Sequence, residues 1–158
     1  MALTKGVNSY VTVEEADTYF SDRLDSSYWT SATSTRKVQA LIGATSYLDD
    51  LKWIGVAISD SQSLSFPREG TYFDPRMGTE VILDTTVPVR VITATYELAY
   101  HFLVNNNILD DTGSVFNLSV GDISLSNIRK PSKLNPFVKR LIAPLLENGG
   151  NSVWWRAN

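Results

Sequence analysis

The sequence predicts a mainly α chain: a small helical bundle of about four helices with a β-hairpin, a long irregular excursion and an extended C-terminal tail. Three observations carry that expectation. Apolar residues recur at three- and four-residue spacing in four separate stretches. One stretch, Ser114 to Asn127, instead alternates apolar and polar residues around a Gly-Asp pair. Between Lys52 and Pro88 the helical period disappears, and Gly55, Pro67, Gly70, Pro75 and Gly78 punctuate the run.

The first helix starts at a capping box. Thr12 can accept from the backbone amide of Glu15, whose carboxylate reaches back to the cap. Ala16, Tyr19, Phe20 and Leu24 then share an inward face, with Glu14, Asp17 and Asp22 outward. Ser26, Ser27 and the small residues from Ser31 to Thr35 make a break. A second helix follows over about Thr35 to Leu51, with Val38, Leu41, Ile42, Thr45 and Leu48 on one stripe. The irregular excursion from Lys52 to Pro88 is a candidate contact surface, since connections of that length are often functional; Val81 to Leu83 could add a short strand within it.

Pro88 suits a first helical turn, where its missing amide hydrogen costs nothing. The third helix runs from there to about Asn106, apolar on most sides, as a central helix should be. In the hairpin, about residues 114–126, Gly121-Asp122 is a favoured two-residue turn. Arg129, Lys130, Pro131 and Lys133 form a basic connector. Asn135-Pro136 opens a last short helix with Val138, Leu141, Ile142 and Leu145 inward, and Pro144 should kink or end it. The organisation expected is a body, residues 1–148, and a flexible docking tail, residues 149–158.

At 158 residues the chain fits one domain, and 43% apolar with 20% charged residues is ordinary for a globular protein. No stretch approaches the roughly 20 apolar residues of a membrane span, and the opening MALTKGVNSY lacks the apolar run of a signal peptide, so an intracellular chain without membrane contact is expected. The absence of cysteine removes thiol chemistry and most structural zinc sites. The net charge of −3 hides a split. Through Asp122 there are 16 acidic and 8 basic residues, giving −8; from Ile123 onward 6 basic residues face Glu147 alone, giving +5. Such asymmetry is complementary between copies, although a solvated helix face would carry it equally well.

Little in the sequence points to catalysis. His101, the single histidine, lies in the apolar third helix beside Tyr100 and Phe102, where a structural role is favoured over a general base. Asp49-Asp50 and Asp110-Asp111 are neighbours in sequence and do not face each other on a helix. Phosphate-loop, dinucleotide, calcium and zincin motifs are all missing. No enzymatic activity, cofactor or metal is expected.

Several segments in series, NSYVTVEEADTYFSDRL, ALIGATSYLDDLKWIG, QSLSFPREG, ILDTTVPVRVITATYELA, VGDISLS and a terminal Arg-Ala, resemble a family of tailed-bacteriophage head-tail adaptor proteins. These are also called connector or head completion proteins, and the same group carries a DnaT-like single-stranded-DNA-binding label. The resemblance covers nearly the whole chain in order. Phe66-Pro67-Arg68 with the Asp84 to Pro88 helix entry is its most distinctive part.

The resemblance implies a virion protein that forms a ring, usually dodecameric, beneath the portal protein. That ring extends the channel for packaged double-stranded DNA and presents a platform to the downstream tail or nozzle protein. A ring of identical copies uses a head-to-tail contact that closes on itself, which opposite charges would serve. The sites expected are a portal-binding tail, Val153, Trp154, Trp155 and Arg156, swinging on Gly149-Gly150, and ring, lumen or tail contacts at Phe66, Arg68, Gly121, Asp122, Arg129 and Lys130. Tryptophan and arginine often dominate interface energy. The two tryptophans would also bury well by folding back on their own body. The alternative function is single-stranded DNA binding, which the six C-terminal cations favour and the acidic body opposes.

Overall fold

The computed structural model describes residues 2–105, 118–120, 123–125 and 134–147. Its first helix, α1 (Val13–Ser21), begins at the expected capping box: Glu15 N donates to Thr12 Oγ1 at 3.2 Å, and Thr12 N donates to the Glu15 carboxylate at 2.8 Å. Such a cap contributes about 1 kcal/mol. The helix stops at Ser21, however, so Leu24 is not on its inward face as expected but fully exposed. The chain turns there because Arg23 is the residue drawn inward, towards Glu97.

The expected break at 26–35 contains a short helix, α2 (Ser27–Thr30), too brief to show a period in sequence. It delivers Trp29 to the core, where the indole stacks on Phe20 at 4.7 Å and donates to Asp17 at 2.7 Å. Helix α3 (Ser34–Asp49) is capped by Thr33 and buries Leu41, Thr45 and Leu48 with Ala40 and Ala44, while Val38 and Ile42 lie at the margin. Helix α4 (Val89–Asn105) starts directly after Pro88, whose carbonyl accepts from Val91 and Ile92. Its buried residues cover most of its circumference, and α2, α3 and α5 pack around it, so the expected central helix is present.

Helix α5 (Pro136–Ile142) has Pro136 in its first turn and Asn135 as cap, accepting from Phe137 N at 2.8 Å. Pro144 ends it in a 3-10 turn, Ala143–Leu145, and Val138, Ile142 and Leu145 are fully buried. Strands β4 (Leu118–Val120) and β5 (Ile123–Leu125) pair antiparallel with Val120 opposite Ile123, the register a two-residue turn requires.

The excursion from 52 to 88 corrects the sequence reading, because much of it is a three-stranded antiparallel sheet in the order β1 (Val56–Ala57), β2 (Arg68–Asp74), β3 (Thr79–Leu83). Only the β3 part was legible. In β2 the polarity is inverted: Gly70, Tyr72 and Asp74 point inward, while Glu69, Thr71 and Phe73 point outward. An apolar-in, polar-out search therefore finds no strand. The fold is thus helical with a small sheet hung on the α4–α5 side. No helix among the described residues is long and apolar enough to cross a membrane.

Candidate functional site

The sheet is built up from its base. Trp53 is buried and donates from its indole to Leu48 O at 2.9 Å, which fixes where the chain leaves α3. Phe66 packs edge-on against Trp53 at 5.0 Å and against Tyr10 at 6.2 Å, and its peptide bond to Pro67 is cis. Arg68 then spreads its guanidinium over backbone carbonyls of Trp53, Ile54, Gly55 and Ser65, the Nε bond to Ile54 being 2.8 Å long. Gly55 and Gly70 let the β1 and β2 backbones meet; a β-carbon on Gly55 would lie 2.3 Å from Glu69 O. From the other side, Ile54 N donates to Leu145 O and Glu147 N to Lys52 O, which straps the end of the described body to the sheet.

The far end of the hairpin is held by Asp74, which is 1% exposed. Its carboxylate accepts from Arg76 Nη2 at 3.0 Å and Arg76 N at 2.9 Å, and from Arg90 Nη2 on α4 at 2.9 Å. The Arg76 side chain and amide, then Arg90, hold the Asp74 carboxyl well below the usual carboxylate range against the cost of burial. One carboxylate therefore closes the β2–β3 turn and fastens the hairpin to the central helix.

What this framework presents is an apolar outer face. Val56, Phe73 and Ile82 are 64%, 56% and 74% exposed, and Thr71 lies opposite Ile82 with Phe73 opposite Glu80. Glu69 and Glu80 give the face an acidic border. Beside it runs an open groove of about 430 Å³ lined by Ile54, Tyr72, Phe73, Pro75, Leu146 and Glu147. A second, larger hollow of about 810 Å³ lies between α3 and the N-terminal loop, lined in part by Asn8, Ser46, Asp49 and Leu64. Its Asp49 is already engaged by Tyr10 Oη and Ser65 N.

Comparison with protein families supplies one match, over residues 2–157, to the family described as "Putative DnaT-like ssDNA binding protein". The chain belongs to that family. No curated protein and no solved structure matches it.

In this DnaT-like body most of the described cations are engaged from within. Among the described residues, Lys5 pairs with Glu15, Arg23 with Glu97, Lys37 with Asp17, and Arg76 and Arg90 with Asp74. Arg68 is occupied by carbonyls. The Arg23–Glu97 pair sits inside an aromatic wall: Tyr19 Oη donates to Glu97 at 2.6 Å, and the guanidinium lies 4.7 Å from the Tyr100 ring centre. Burial first, and the Glu97 carboxylate second, push the Tyr19 hydroxyl above its ordinary range. Lys5 leads the causes that lower Glu15, while the upward effect of burial on Asp17 is outweighed by Lys37 and Trp29.

Of the residues expected to form sites, Phe66 and Arg68 come together at the base of the sheet, Phe66 in the core and Arg68 on backbone carbonyls. Gly121, Asp122, Arg129, Lys130, Val153, Trp154, Trp155 and Arg156 lie outside the described residues, as does the body–tail boundary at 148–149. His101 is half-buried against the Asn105 amide, and Asp49 and Asp50 diverge, one bonded and one exposed. Among the described residues no cluster of metal-ligating side chains occurs. The Asp74 clasp and the outer face were missed from sequence. An aspartate four residues before glycine was the available signal for the turn.

Proposed function

We propose that this chain is a structural head-tail adaptor of a tailed bacteriophage, a virion component that forms a ring under the portal protein, extends the DNA channel and carries the tail. The observation behind this reading is the distribution of chemistry over the described body. Its described cations are largely engaged by its own carboxylates and carbonyls, while Val56, Phe73 and Ile82 stand exposed on the three-stranded sheet, whose β2–β3 turn is fastened to α4 through Asp74. Phosphate needs free cations; a protein neighbour needs exposed apolar surface. The serial resemblance to head-tail adaptors supports the same reading, as does the split between an acidic body and a basic C-terminal part. In this role the chain turns over no substrate, and Val153, Trp154, Trp155 and Arg156 dock on the portal.

A second reading, single-stranded DNA binding, is favoured by the family description and by the six cations beyond Ile123. Negative-stain imaging of the chain mixed with its portal protein separates the two. The adaptor reading expects a ring capping the portal, and separate particles would overturn it. Gel shifts with single-stranded DNA at low and moderate salt are the complement. Neutralising Z phosphates on a single strand gives a slope of about −0.7Z in log affinity against log salt, so tight binding with a steep slope would establish the second reading.

A further inference from the structure

The outward face of the sheet and the outward side of α5 carry opposite charge around an apolar centre. On the sheet, Val56 lies beside Glu69, Phe73 beside Glu80 and Ile82 beside Thr71, so three exposed apolar side chains share the face with two carboxylates and no cation. On α5 the sign is reversed. Phe137, Lys139 and Arg140 are exposed together, and no acidic residue occurs from Leu134 to Leu146. Neither Lys139 nor Arg140 belongs to the ion pairs of the described residues. We propose that these two surfaces dock on one another between copies of this chain, the α5 side of one copy seated on the sheet face of a second.

Such a contact has to join two molecules. Within one molecule Val138 and Ile142 are buried and hold α5 on α4, so its outward side cannot turn onto its own sheet. By helical spacing Arg140 stands between Phe137 and Lys139 on that side. Phe137 then meets the apolar strip of Phe73, Ile82 and Val56, while the two cations diverge towards Glu80 and Glu69. Glu69 lies four residues from Phe73, the neighbour of Glu80, which separates the carboxylates by about 14 Å along the strands. Two long side chains that leave a helix about 100° apart can span that distance. An apolar centre ringed by charge is the usual anatomy of a protein interface. Nucleic acid fits the sheet poorly, because its phosphates would meet Glu69 and Glu80. The proposal deepens the adaptor reading by naming the copy-to-copy contact that a ring would use, and it rests on that reading for that role alone.

Sedimentation of the full chain from micromolar to millimolar concentration tests this without any other protein. The proposal expects association that grows with concentration and weakens as salt rises. Glu69→Lys with Glu80→Lys, and separately Lys139→Glu with Arg140→Glu, should each weaken it by more than about tenfold, because each sets like charges against one another. Mixed together, the two variants should associate again, since each retains the surface that the other has lost. Melting followed by circular dichroism checks that both fold; if either double variant does not, Glu80→Lys and Arg140→Glu alone decide in their place. A chain that stays monomeric throughout, association that survives either reversal, or a mixture that fails to recover overturns the proposal. A ring on the portal built by either reversed variant alone would fault this contact and leave the adaptor reading standing. Recovery in the mixture with no ring on the portal would fault the adaptor reading alone.

Discussion

Replacing Arg68 tests whether the excursion is organised from within. Its guanidinium bonds the carbonyls of Trp53, Ile54, Gly55 and Ser65, drawing together the exit from α3, β1 and the segment before β2. Arg68→Ala leaves three partly buried carbonyls to find water, and the exposed Gly55 carbonyl finds it freely. At about 1 kcal/mol for each of the three, the loss is about 2–3 kcal/mol. For a chain of this size that lowers the melting temperature by roughly 4–12 °C. Arg68→Lys keeps the charge but concentrates it at one ammonium that cannot span carbonyls spread over such a fork, so it should lose most of the same stability.

The assay is thermal unfolding by circular dichroism, supported by urea midpoints, with hydrogen exchange at Val56 and Glu69 reporting the local opening. A charge used only for phosphate would behave in the opposite way: Lys would substitute for Arg, and melting would not move. Wild-type melting of Arg68→Lys, coupled with loss of single-stranded DNA affinity in Arg68→Ala, would refute the structural role assigned to this residue.

Gly55→Ala should destabilise by about 1–3 kcal/mol, because the residue sits at φ +73° and the added carbon would meet Glu69 O; equal urea midpoints would count against the close approach. Glu97→Gln removes the carboxylate that Arg23 and Tyr19 share, and with Arg23 only partly shielded the cost should be about 1–3 kcal/mol, measured as a drop in urea midpoint; a neutral outcome would mean that water replaces the pair without penalty. The carboxyls of Glu15, Asp17 and Asp74 are all lowered in the folded state, so their stabilisation is present above about pH 4 and is lost as acid protonates them. Tyr96 is pushed up to about 12 chiefly by burial, with Glu15 adding to it, and Tyr10 and Tyr19 are raised too; their contribution holds below about pH 10 and fades above it. Unfolding followed across pH should therefore show a plateau with losses at both ends, and an alkaline limb absent up to pH 12 would contradict the tyrosine environments.

Local signals carried much of the fold. Thr12 with Glu15, Pro88, and Asn135 with Pro136 each name a helix start through chemistry contained within four residues, and the 3.6-residue period of α3 and α4 is a property of the sequence itself. The pairing of β4 with β5 follows from alternation around Gly-Asp in the same way. Nothing local announces β2, because its inward positions hold Gly70 and Asp74, tolerable only where Gly55 and the Arg76–Arg90 pair meet them. Nor does Leu24 announce that it is exposed, since that depends on Arg23 finding Glu97 more than 70 residues away. Charge asymmetry, the lack of cysteine and the aromatic end of the chain were set by the sequence alone. Which cations are already engaged, and which apolar residues stay uncovered, depended on side chains brought together from distant parts of the chain, where burial makes a polar partner necessary and its absence costly.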